Sequence, residues 1–134
     1  MITATRGHLR SDPFKASISK LVNAIGLETK VAYNVMRLAK ELEKTLVELQ
    51  KDWIQLVSKY VQVDGTQWKL NEAKTDFAYL DGIDAKEAKD AISAYMEQKV
   101  EIDREPLKLE DLEAAMLSPS DLSVLEPLLT FTEV

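Results

Sequence analysis

No cysteine occurs in the chain, which excludes disulfides and thiolate chemistry. Histidine is almost absent too: His8 is the only one, in a polar stretch beside Gly7. A general base needs an orienting partner, and the surrounding sequence predicts none. Gly65 and Gly82 stand alone, unlike the clustered glycines of a phosphate-binding loop. No apolar run approaches the roughly 20 residues of a membrane-spanning helix. Residues 1–6 lack the apolar stretch of a secretory signal, so synthesis in the cytosol is expected. Internal repeats and low-complexity segments are lacking. The acidic groups Asp81/Asp84 and Glu101/Asp103/Glu105 lack calcium-loop spacing and read as solvated surface. The expectation is therefore a non-enzymatic protein with no catalytic residue, metal or cofactor.

What is present is a 134-residue chain, enough for one domain with its own core. Its net charge is -6, unevenly divided. Residues 1–60 hold 10 Lys/Arg against 6 Asp/Glu, or +4; residues 61–134 hold 7 against 17, or -10. Either the basic half packs on the acidic half within one chain, or opposite faces of different copies attract. The acidic total argues against sequence-specific nucleic-acid binding, whose usual footprint is a basic patch.

The patterning predicts a mainly α fold with minor β. It combines a long-helix hairpin or bundle, a small β-ribbon and short C-terminal helices. Residues 1–12 read as a basic N-terminal arm with too few apolar side chains to fold onto its own core. Residues 13–129 form a single helical domain, and 130–134 an apolar C-terminal tail. Deleting residues 1–10 is then expected to leave the fold intact. Ser11 or Asp12 caps a helix with Pro13 in its first turn. Phe14, Ile18, Leu21, Val22 and Ile25 share one face of it, and Gly26 suits its C-terminal end.

Residues 28–60 carry the cleanest signal. Val31, Val35, Leu38, Leu42, Leu46, Leu49, Trp53, Leu56 and Tyr60 step by three or four on a charged background. So long a helix needs an antiparallel partner, a second subunit, or both. Asp64-Gly65 within 61–70 signals a β-hairpin. Residues 71–82 are ambiguous, with a helical turn around Phe77, Tyr79 and Leu80 one option. Asp84 and Glu87 predict a capping box for a helix striped by Ala85, Ala88, Ala91, Ile92, Tyr95, Met96 and Lys99, whose alanines suit close approach to the long helix. Val100 to Asp103 alternates like a strand. A short helix over 110–116 follows, and Ser118-Pro119-Ser120-Asp121 starts a last helix that stops before Pro127. Arg6 and Arg10 are candidate contacts to an acidic neighbour or packaged nucleic acid. Trp53 is expected in the core, and Trp68 in either the core or an interface. Leu128, Leu129 and Phe131 are candidate interface residues of the tail.

The order of several elements resembles a family of small tailed-bacteriophage proteins. The matching residues are Lys30-Val31-Ala32-Tyr33 opening the long helix, Tyr60 closing it, Asp64-Gly65, and Val100-Glu101-Ile102. The run Leu109 to Glu113 and the closing element Leu117-Ser118-Pro119-Ser120-Asp121-Leu122-Ser123-Val124-Leu125 complete the pattern. The resemblance covers about residues 14–129; residues 1–12 and 130–134 depart from it. It implies a phage gene product and carries over no activity and no catalytic residues. The expected role is a structural or virion-assembly protein, acting through contacts with other phage structural proteins or copies of itself. The alternative is an acidic inhibitor of a host protein. Neither involves a membrane or sequence-specific nucleic acid, and the expected location is the virion or the host cytoplasm.

Overall fold

The computed structural model describes residues 1–64, 67–74 and 76–130. It is mainly α with minor β. The elements are β1 (Ile2–Thr5), α1 (Arg6–Arg10), α2 (Asp12–Val22), α3 (Thr29–Val57), β2 (Val63–Asp64) and β3 (Gln67–Trp68). They continue with α4 (Ala85–Glu97), β4 (Lys99–Ile102), β5 (Leu107–Lys108), a 3₁₀ helix (Leu109–Ala115), α5 (Pro119–Leu125), a 3₁₀ turn (Glu126–Leu128) and β6 (Leu129–Thr130). Among the described residues the strands form three separate pairs, β1 with β4, β2 with β3, and β5 with β6.

At about 1.5 Å per residue, α3 is roughly 43 Å long. Its buried positions are Val31, Val35, Leu38, Leu42, Leu49, Trp53 and Val57, one stripe along the rod. Two apolar clusters share that stripe. Val31 to Leu49 meet Ile2, Leu9, Phe14, Leu21, Ile102, Leu112, Leu125 and Leu128. Trp53 and Val57 meet Val61 and Tyr95, flanked by Trp68, Phe77 and Tyr79. Dividing the rod between two clusters lets one chain cover this face of so long a helix.

The N-terminal residues are part of the fold, which corrects the expected arm. β1 pairs antiparallel with β4, setting Ile2 opposite Ile102 and Ala4 opposite Val100. Ile2 is 1% exposed and Leu9 0%. The Thr5 hydroxyl accepts from the His8 N–H and caps α1. One face of a four-residue strand and one helical leucine suffice, because partners distant in sequence complete their burial.

Several local expectations are also revised. α2 is capped by Ser11, whose hydroxyl accepts from the Phe14 N–H. It ends at Val22, so Ile25 lies beyond it, 90% exposed, and Gly26 occupies the loop with φ +93°. Val61 bridges Tyr79 and Leu70 bridges Phe77, so Phe77 to Tyr79 lies alongside the ribbon as extended chain. Gly65, at the expected hairpin tip, lies outside the described residues. Asp84 caps α4 by accepting from Lys86 N–H rather than from Glu87, and the capping box falls instead at Ser118 and Asp121 in α5.

The close approach of α4 is to α1, where a β-carbon on Gly7 would lie 3.2 Å from Met96 Cβ. α4 meets α3 through the Tyr95 hydroxyl, which donates to the Leu49 carbonyl at 2.7 Å, and through Tyr95 beside Trp53. A third tie holds α2 to α5. The Asp121 carboxylate accepts from Lys20 Nζ at 2.7 Å, Ser17 Oγ at 2.9 Å, Ser118 Oγ at 2.9 Å and Ser118 N at 3.0 Å. The Lys20 hydrogen bond, then the Ser118 N–H and Ser17, hold this carboxyl well below the usual carboxylate range. Lys20–Asp121 also joins the basic half of the chain to the acidic half.

Candidate functional site

α2 turns Phe14, Ser17 and Leu21 to the interior, where Ser17 reaches Asp121. Its other flank packs on α3 and leaves a surface groove along the seam. α2 and α3 run antiparallel, the start of α2 lying beside Leu46 to Lys51 and its end beside Ala32 to Ala39. Arg10 Nη2 of α1 donates to Gln50 Oε1 at 3.2 Å near the first of these ends. Buried Phe14 and Leu42 form the floor of the groove, and Ile18, Val22, Leu46 and Val47 its walls. It encloses about 660 Å³ and continues past Val22 and Ala39 into a hollow of about 310 Å³ beside Met36. From Met36 to Lys51 the α3 wall is roughly 22 Å long, or four turns of a docked helix.

Both walls are partly exposed, Val22 at 48%, Met36 at 39% and Val47 at 54%, while Ile18 and Leu46 are half-buried against the core. These exposed side chains stand in water although α2 and α3 share one buried cluster beneath them, through Phe14, Leu21, Leu38 and Leu42. A contiguous apolar groove with a polar rim is a surface suited to an amphipathic helix. The rim is mostly basic, with Arg10, Lys15, Lys40 and Lys51 against Glu43.

The residues singled out in the sequence distribute as follows. Arg10 lies at the groove's end, where its guanidinium stacks 4.2 Å from the Trp53 ring centre; burial lowers its pKa. Arg6 stacks on Tyr95 at 4.6 Å, away from the groove. Arg6 thus fastens α1 onto Tyr95, an inward role in place of the expected outward one, while Arg10 stacks on Trp53 and still lines the groove's end. Leu128 is 0% exposed, so this interface candidate is a core residue. Its burial follows from the 3₁₀ turn that folds the chain end back beside β1. Leu129 is half-buried, opposite Leu107 in the parallel β5–β6 pair. Phe131 lies outside the described residues. Trp53 is buried at 8%, and half-buried Trp68 packs against the same cluster.

His8 Nε2 donates to the Val124 carbonyl, and its ring meets Phe14 edge-on at 5.3 Å. It ties α1 to α5 and is not among the residues that line the α2–α3 groove. Among the described residues, no group of three or more His, Asp and Glu side chains converges to hold a metal ion. No helix among them is long and apolar enough to cross a membrane.

The sequence does not reveal the groove. Ile18, Val22, Leu46 and Val47 are helical apolar positions in it, and Val47 lies one step off the main stripe. That extra apolar position beside a complete stripe is the available signal. Comparison with protein-family models, with curated proteins and with solved structures finds no match for this chain.

Proposed function

We propose that this protein acts without catalysis, by binding protein through the α2–α3 groove, as a multi-copy structural or assembly component of a tailed bacteriophage. The groove carries the binding part of this reading: an apolar groove whose floor, Phe14 and Leu42, is core and whose walls leave Val22, Met36 and Val47 exposed. The order of the Lys30–Tyr33, Val100–Ile102 and Leu117–Leu125 motifs supports the phage origin. The test is quantitative mass spectrometry of purified, nuclease-treated particles from a phage genome carrying the gene. A fixed ratio to the major capsid protein is expected for the native chain. Val47→Asp, which places a carboxylate in the groove, is expected to lower that ratio at least about tenfold. Absence of the native chain from particles and from their assembly intermediates would refute the structural reading.

The charge of -10 over residues 61–134 favours a second reading, an acidic inhibitor that mimics nucleic acid toward a basic host protein. One stoichiometric host protein, released from the bait by high salt, would distinguish it.

A further inference from the structure

We infer that the groove of one copy receives the Ile25–Met116 end of a second copy, so that the chain associates head to tail. This deepens the binding role proposed above and rests on the groove being its contact surface.

The loop over 23–28 packs against the 3₁₀ helix Leu109–Ala115: a β-carbon on Gly26 would sit 3.6 Å from Ala114 Cβ. Glu28, Asp111 and Glu113, all exposed, line the hollow where they meet. Beside this contact lie Ile25, 90% exposed, and Met116, 83% exposed, the two most exposed large apolar side chains described. One end of the molecule is therefore an apolar tip set among carboxylates.

The opposite end of the α2–α3 pair carries Arg10, Lys15 and Lys51 around the mouth of the groove. Because α2 and α3 are antiparallel, the acidic tip and the basic mouth lie at opposite ends of the same helix pair. A tip from one copy entering the mouth of another brings unlike charges together and buries apolar surface on both sides. Pairing two grooves across a two-fold axis would leave Ile25 and Met116 in water.

Met116 itself points the same way. It ends the 3₁₀ helix in the left-handed conformation, φ +53°, where a side chain is strained and glycine is favoured. In one copy this strained residue buries almost nothing. A long, adaptable thioether side chain at a protruding position suits insertion into an apolar groove. The contact joins two different surfaces, so it propagates into chains or closes into a ring.

Sedimentation velocity of the full chain over a range of concentrations tests this at low and high salt, with Val47→Asp, Met116→Gly and their equimolar mixture. Circular dichroism checks that both variants, changed at exposed positions, are folded. The native chain is expected to form higher oligomers, weakened by salt. Each variant alone should be monomeric. The mixture should stop at a heterodimer, since only one intact tip and one intact groove can meet. A native chain that stays monomeric throughout, a variant that assembles like the native chain, or a mixture that stays monomeric would each overturn self-docking. If self-docking fails while Val47→Asp still loses incorporation into particles, the groove belongs to a different protein. If self-docking holds and incorporation is unchanged, the groove's proposed role in the particle fails instead.

Discussion

Deletion of residues 1–10 removes Ile2 and Leu9, 1% and 0% exposed, together with the strand that covers Ile102 and Val100. Truncating a buried Ile or Leu to Ala costs about 2–5 kcal/mol, so these two side chains alone account for roughly 4–10 kcal/mol. The deletion also uncovers Ile102, itself 3% exposed, and removes Arg6 from Tyr95 and Arg10 from Trp53. A domain of this size has a total stability of about 5–15 kcal/mol. The truncated chain is therefore expected to lose cooperative unfolding. Urea denaturation followed by circular dichroism measures this, with Thr3→Ala as the control. Thr3 is exposed on the same strand, and its change should stay within about 0.5 kcal/mol of the full chain. A truncated chain with the same midpoint and slope as the full chain would refute the placement of β1 and α1 in the core.

Other consequences follow from single contacts. Tyr95→Phe removes the hydroxyl bonded to the Leu49 carbonyl and should cost about 0.5–1.5 kcal/mol in urea denaturation. Leu128→Ala should cost about 2–5 kcal/mol by the same method, as befits a core residue rather than an interface one. Asp121 has a depressed pKa in the folded chain, so its contribution is complete above the unfolded carboxyl pKa near about 4. That contribution is lost as pH falls from there toward the lower folded value. Unfolding midpoints measured from neutral pH down into the acid range should fall less steeply for Asp121→Asn than for the native chain. Equal slopes would show that the Lys20–Asp121–Ser17 network contributes nothing through ionisation.

The long helix was legible because its signal is local and repeated. Nine apolar positions from Val31 to Tyr60 fix the face, and α3 runs within a few residues of the expected span. Asp84 and Ser118 announced their helix starts for the same reason, since a cap acts on N–H groups two or three residues away. β1 and α1 were illegible because their evidence is remote. Ile2 and Ala4 make sense only opposite Ile102 and Val100, about a hundred positions along the chain, and Leu9 is a single apolar residue in a five-residue helix. The inward stacking of Arg6 and Arg10 is illegible in the sequence because the rings they meet, Tyr95 and Trp53, belong to two other helices. The groove was hidden for a related reason. Its walls are ordinary helical apolar positions, and which of them stay uncovered depends on how α2 seats on α3 in the folded chain.

The lack of native cysteine allows a direct check on how copies meet. Val47→Cys and Met116→Cys proteins are prepared separately, mixed, and oxidised mildly, and the products are separated by size without reductant. Head-to-tail docking predicts a disulfide-linked dimer that contains one of each variant and forms faster than any dimer from either variant alone. Equal rates in all three samples, or no cross-linking in the mixture, would contradict it.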